Sequence, residues 1–231
     1  METEVADPEI TLVGRTRRPR SGRRREAIVE AAVSVIGRRG YGDTSMKEIA
    51  REAGVAPGLL HYHFSSKEDL LLAVVDQLDG ELTRAWEEAL HGLEDPLDRL
   101  VAGLAAVESL GGRDPEFWRL LLDLFTLSLA SPILNRRCQE LWARFTRAIE
   151  AEIRQVLGRL PAYTIAPPHD LAAAVAAGVQ GISLAALLES SDPEARFRAL
   201  RVLLLSVVVT AYVTAGQAPP LARLAGLAGR R

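Results

Sequence analysis

Cysteine is almost missing from this 231-residue chain: Cys138 stands alone, so no intrachain disulfide can form, which fits a reducing compartment. A small apolar helix residue is the expected role of Cys138, rather than a reactive thiol. Lysine is equally scarce, with only Lys47 and Lys67 beside many arginines. No paired cysteines, no H-x-x-x-H, no phosphate-binding loop and no G-x-S-x-G context occur, so no metal, cofactor or catalytic residue is expected and the chain does not read as an enzyme. The four histidines do not pair: His61 and His63 are two apart and point to different sides of a helix, while His91 and His169 are isolated. The most apolar stretch, Val202 to Val213, is interrupted by Ser206 and Thr210 and falls short of the ~20 residues that cross a bilayer, so no membrane span is expected. The start of the chain carries Glu2, Glu4, Asp7 and Glu9 in place of a basic, then apolar, export signal, which makes a cytoplasmic location the expectation. No convincing strand and no internal repeat is visible.

What is present is the balance of an ordinary folded protein, 48% hydrophobic and 25% charged, in a chain long enough for a small unit and a medium one. The net charge of -2 hides a sharp asymmetry. From Arg15 to Lys67 there are twelve basic residues against five acids (Glu26, Glu30, Asp43, Glu48 and Glu52), while both flanks are acidic. A compact basic segment beside a mildly acidic body suits a phosphate backbone, since each neutralised phosphate releases counterions. A solvated charge run is the competing explanation at this level.

Residues 1–21 contain Pro8, Gly14 and Pro19 without helical periodicity and read as a disordered arm ending in a basic cluster. From Arg23 onward Ile28, Ala32, Val35 and Ile36 recur at helical spacing, and Gly40 follows Arg38 and Arg39 where a helix should end. Ser45 and Glu48 then form an S-x-x-E capping box before a two-turn helix whose apolar face is Ile49, Ala50 and Ala53, and Gly54 permits a sharp turn. Pro57 opens another short helix, with Leu60 and Phe64 on one face. Ser66 caps a far longer helix running towards Leu90, and further helices are expected near 96–110, 115–130, 132–158, 168–190 and 193–215. The stretch 216–231, rich in Gly, Ala, Pro and Arg, reads as a flexible tail. The domain reading is thus arm 1–21, small unit 22–67, larger unit 68–215 and tail 216–231.

Two helices too short to persist alone, joined by a Gly54-Val55 turn and packed on a third, make a helix-turn-helix. Its second helix would present Ala56, Pro57, Gly58, Leu59, His61, Tyr62 and His63 outward while Leu60 and Phe64 hold it to the core. The run TSMKEIAREAGVAPGLLHYHFSSKEDLL resembles the N-terminal domain of the TetR family of regulators, from about Arg23 to Leu72. The resemblance implies an all-α protein: a three-helix DNA-binding domain joined by a long helix to a helical ligand-binding and dimerisation domain. It further implies double-stranded operator DNA, a small-molecule effector and a second copy of the chain as partners. By position, Arg23, Thr44, Ser45 and Lys67 would meet phosphate, and Tyr62 and His63 phosphate or bases. Where the family often has Ser-Lys-Gly-Thr-Leu-Tyr, this chain reads Ala56 to His61, and Leu59 can touch a thymine methyl but cannot donate a hydrogen bond to a base.

In the larger unit, Trp86, Phe117, Trp118, Phe125, Trp142 and Phe145 are the candidates for lining an apolar pocket, with core packing as the alternative for each. Glu108 and Asp123 interrupt apolar faces and are the candidates for orienting a ligand, unless they pair with arginines or reach solvent. Small residues from Ala172 to Ala186 permit close helix approach; with the helix over 197–213 the resemblance implies a four-helix dimer interface, the alternative being that these helices are buried within one subunit. The expected function is a dimeric, ligand-responsive regulator, a repressor released by a small apolar effector from a near-palindromic operator. The alternative is an all-helical small-molecule-binding protein or enzyme without specific DNA binding. Deleting residues 1–22 is expected to weaken DNA binding and flatten its dependence on salt; equal affinity and an equal salt slope would overturn a role for the arm.

Overall fold

The computed structural model describes residues 20–113, 115–160, 166–189 and 192–228, and among them finds ten helices and no strand. The arm lies almost wholly outside the described residues. One boundary moves: α1 (Arg20–Arg39) already includes Arg20 and Ser21, so a deletion ending at residue 19 spares the helix. Helix α1 ends at Gly40, whose φ of +84° is a left-handed conformation that glycine adopts without strain.

The small unit closes around α1. Ile28, Ala32, Val35 and Ile36 are buried together with Ile49 of α2 (Met46–Glu52), Leu60 of α3 (Pro57–His63), Phe64, and Leu70 and Val74 of α4 (Lys67–Leu90). Arg25 lies over the Phe64 ring, its guanidinium carbon 5.0 Å from the centroid, so part of the basic cluster holds the unit together. Gly54, at φ +64°, makes the turn between α2 and α3.

Helix α4 continues into the larger unit, where it packs with α5 (Pro96–Arg113), α6 (Pro115–Ser128), α7 (Pro132–Leu157), α8 (Pro168–Glu189) and α9 (Glu194–Thr214). Two ion pairs bind this bundle internally. Buried Glu152 of α7 receives two hydrogen bonds of 2.8 Å from Arg99 of α5, and buried Arg201 of α9 pairs with Glu108 of α5. Burying these charges is tolerable only because each is answered. Cys138 is buried, and its thiol is pushed up to about 11 by that burial, so it carries no thiolate at neutral pH.

Two expectations are corrected. The tail is not uniformly flexible: α10 (Leu221–Ala228) buries Leu224 and Leu227, and Arg223 reaches Asp95 and Asp98 at 2.7 Å each. Its apolar i, i+3 pair was hidden in a composition dominated by Gly and Ala. The apolar run at the end of the chain is also longer than Val202 to Val213 suggests. Helices α8 and α9 are each long and apolar enough to cross a membrane by length and composition, with mean hydropathy of 2.0 and 1.7 over 18 residues. Only 28% and 33% of those windows is buried within the monomer, so large apolar faces stay open.

Gly103 of α5 faces the Trp86 indole of α4 with no room for a side chain. A Cβ on Gly103 would lie 2.7–2.8 Å from three atoms of the indole. Gly103→Ala should therefore displace the ring and lower the unfolding free energy by about 1–3 kcal/mol, read from urea denaturation followed by tryptophan fluorescence. An unchanged midpoint would show that Trp86 is not pinned there.

Candidate DNA-reading surface and effector pocket

Ser45 caps α2 through a complete box. Its hydroxyl accepts from Glu48 N–H (3.2 Å), while Ser45 N–H and hydroxyl both donate to the Glu48 carboxylate at 2.9 Å. These bonds, the one from the Ser45 backbone foremost, hold the Glu48 carboxyl below its ordinary range, with help from Arg39 at 2.6 Å. The cap thus fixes α2 against the end of α1. Ala56 precedes α3 in extended conformation without a side-chain cap, and Pro57 takes the first turn.

This arrangement leaves Ala56, Pro57, Gly58, His61 and Tyr62 exposed, with Leu59 and His63 half-buried. Tyr62 stands out, 80% exposed, its ring edge-on to His63 with centroids 5.3 Å apart. A tyrosine left in water beside a packed face is unusual unless something else covers it. Arg23 is exposed on α1. Lys47 and Arg51, exposed at i and i+4 on α2, add a basic pair that the sequence reading passed over because it concentrated on α3.

Two residues expected to meet phosphate are engaged inside the protein instead. Thr44 is only 4% exposed and its hydroxyl donates to Gly40 O at 2.8 Å, locking the turn after α1. The Lys67 ammonium donates to Tyr41 O (2.5 Å) and to Thr44 O, and sits 3.7 Å from the Tyr41 ring centroid. Burial holds its pKa below the ordinary lysine value. Lys67 therefore ties the start of α4 to the turn between α1 and α2. Sequence spacing could not reveal this, because the acceptors are carbonyls 23 and 26 residues away.

The aromatic candidates of the larger unit divide. Trp118, Phe125, Trp142 and Phe145 wall a narrow, partly enclosed cavity of about 20 Å³, together with Leu82, Leu121, Leu122, Leu141, Ala176, Val179, Gln180 and Ser183. Phe125 stands perpendicular to Trp142 with centroids 5.8 Å apart. Trp86 belongs instead to a groove of about 290 Å³ between α4 and α7, and Phe117 packs edge-on against Trp118 at 5.3 Å. Neither carboxylate reaches the cavity. Glu108 pairs with Arg201 beside a separate cleft between α5 and α9, and burial raises its pKa against the pull of that arginine. Asp123 lies between Leu122 and Phe125 on α6 but faces α1, where its carboxylate would be 3.7 Å from a Cβ on Gly40. The aliphatic and small polar walls escaped sequence reading because nothing distinguishes them from ordinary core positions.

Residues 28–74 match the model for bacterial regulatory proteins of the tetR family, and residues 96–208 match that for the C-terminal domain of BetI-type transcriptional repressors. The chain belongs to the TetR family. Among curated relatives, the transcriptional regulator BetI of Rhizobium meliloti (strain 1021) is 44% identical over 79 residues, 34% of this chain and 39% of that protein. BetI of Brucella anthropi is 39% identical over 82 residues, 36% of this chain and 42% of the relative. The alignments thus span about two-fifths of those relatives' length. A TetR-family regulator from a Rhodococcus species superposes with a TM-score of 0.69 at 24% identity, covering 82% of this chain and 98% of that one. A regulator from Saccharomonospora viridis, solved in complex with choline, superposes with a TM-score of 0.70 at 24% identity over 78% and 94% of the two chains. At these identities the superpositions establish the fold of this TetR-family regulator.

In this TetR-family fold Lys67 and Tyr62 should separate cleanly on substitution. Lys67→Met should lower the unfolding free energy by about 1–3 kcal/mol through its orphaned carbonyls. Tyr62→Ala should leave stability within about 0.5 kcal/mol, as exposed positions do, while weakening DNA binding in a mobility-shift assay. Equal stability of the two variants would remove the internal role given to Lys67.

Proposed function

We propose that this regulator is a homodimeric repressor that reads a near-palindromic operator and releases it when a small, largely apolar effector occupies the larger unit. The observation that carries the reading is the capped helix-turn-helix, whose inner face is fully buried while Tyr62, His61 and the Ala56-Pro57-Gly58 opening of α3 face solvent. Phosphate anchoring is assigned to Arg23, Lys47 and Arg51, with base contact from Tyr62 and His63. Arg15, Arg17 and Arg18 add basic charge to the sequence before α1, and the cytoplasm is the compartment in which such DNA is met.

The second copy is argued from the open apolar stripes. Ala174, Ala177, Gly181, Leu184 and Leu188 recur at three- and four-residue spacing on the exposed side of α8, and Ala199, Val202, Leu203, Ser206 and Val213 on α9. Paired with themselves across a two-fold axis they form a four-helix interface, and two reading helices then enter successive major grooves about 34 Å apart. The choline bound by the Saccharomonospora regulator presents methyl groups, a chemistry that the Trp86 and Phe145 rings on the groove between α4 and α7 also suit.

The effector acts only if it binds one dimer spacing better than the other. Helix α6 offers a route. It carries Trp118, Leu121 and Phe125 on the cavity wall, and Glu116 against α1, where a Cβ on Gly37 would lie 3.0 Å from that of Glu116. Arg119 also donates to Arg38 O at 3.3 Å.

In vitro selection of bound DNA should return two related half-sites with centres one helical turn or a multiple apart. Leu184→Glu combined with Leu203→Glu should convert the protein to a monomer in analytical ultracentrifugation and lower operator affinity at least about tenfold. Recovery of random DNA, or a double variant that stays dimeric and binds normally, would overturn the reading.

A further inference from the structure

The exposed face of α3 is divided by chemistry. Its first turn, Pro57, Gly58 and Leu59 with Ala56 before it, carries no hydrogen-bonding side chain, and Pro57 lacks a backbone N–H as well. The amides of Leu59 and Leu60 already donate to Ala56 O, at 2.9 and 3.2 Å. Polar side chains begin only at His61, Tyr62 and His63. With α3 as the reading helix, its N-terminal part meets the base edges. Side chains there cannot use the donor and acceptor pattern of the major groove.

Leu59 has the longest side chain of that turn. Its neighbour Leu60 is fully buried, as is Phe64, whereas Leu59 is half-buried and stands outside the core. It lies three residues before Tyr62 and four before His63, so helical spacing puts all three on one face. That is the face with the 80% exposed tyrosine. Gly58, beside Leu59, leaves the backbone bare: a Cβ there would meet nothing within 4 Å. No contact inside the protein calls for glycine at this position, and glycine weakens a helix relative to alanine. Its bareness serves an approach from outside, bringing the start of α3 close to whatever lies against this face.

The base edges of the major groove offer such a turn one apolar feature, the C5-methyl group of thymine. Uracil and cytosine present only a C–H at that position, and 5-methylcytosine restores the methyl.

We propose that Leu59 is a specificity-determining residue that reads the C5-methyl group of one pyrimidine in each operator half-site, favouring thymine and 5-methylcytosine over their unmethylated counterparts. Tyr62 and His63 keep the polar readout. This rests on the reading of α3 as the operator-reading helix.

The test uses the full chain and the operator recovered by in vitro selection. Each thymine of a half-site is replaced in turn, symmetrically in both half-sites, by deoxyuridine, which removes the methyl and leaves the hydrogen-bonding groups unchanged. Fluorescence anisotropy should reveal a position at which uracil weakens binding by about fourfold per half-site, about fifteenfold for the dimer, as expected from burial of one methyl. At that position a 5-methylcytosine·guanine pair should bind more tightly than cytosine·guanine by a similar factor. Leu59→Ala should bind the thymine and uracil operators equally, and Leu59→Asn makes the same comparison if the alanine variant does not fold. An operator without a methyl-sensitive thymine, or a uracil penalty that persists in the Leu59 variants, would overturn the proposal and leave the operator reading standing. Random DNA from the selection would overturn both.

Discussion

Helices α2 and α3 have seven residues each, too few to be stable in water, so the reading head exists only because their inner faces are buried against α1 and α4. Ile49, Leu60 and Phe64 are essentially inaccessible, and they meet Ile28, Ile36, Leu70 and Val74 in one continuous seam. Everything that faces DNA takes its position from that seam. Ser45 and Glu48 set where α2 begins, Gly54 sets the angle at which α3 leaves it, and Lys67 fixes α4 to the turn between α1 and α2.

The same seam makes the head and the larger unit mechanically continuous. Helix α4 starts under the reading head and ends in the bundle, with Leu70, Val74, Leu82 and Trp86 all in one continuous buried core. Helix α6 reaches back to α1 through Gly37 and Arg38, and ion pairs from Arg137 to Asp76 and from Arg144 to Asp79 join α7 to α4. These exposed pairs add little stability singly. Their value lies in register: a shift of α6 or α7 around an occupied cavity has few ways to proceed without moving α4 or α1.

Much of this was legible in order along the chain. The capping box, the short apolar faces, the Gly54 turn and the long helix after Ser66 are all local patterns, and the α2–turn–α3 unit follows them residue by residue. The larger unit was legible as helices but not as a site. Six aromatics were visible as candidates, yet four line the cavity, Trp86 faces the outer groove and Phe117 packs edge-on against Trp118. Glu108 and Asp123 looked equally suited to a ligand, but Glu108 pairs with Arg201 and Asp123 faces the Gly40 turn after α1. Helix α10 was missed because its two anchoring leucines sit in a stretch that resembles a linker.

The sequence by itself determined the fold class, the helix-turn-helix and the family resemblance, because capping, helical periodicity and turn chemistry act over three or four residues and are written contiguously. Only the tertiary structure decided which donors are free. Thr44 and Lys67 carry groups that suit phosphate, but Gly40 O, Tyr41 O and Thr44 O claim them at distances the chain reveals only when folded. Likewise only packing decided which aromatics line the cavity and which the groove, with Phe145 on the wall of both. The reason is the same in both cases: a hydrogen-bond partner or a cavity wall is defined by proximity in space, and helices α4, α6, α7 and α8 bring together residues scattered over a hundred positions.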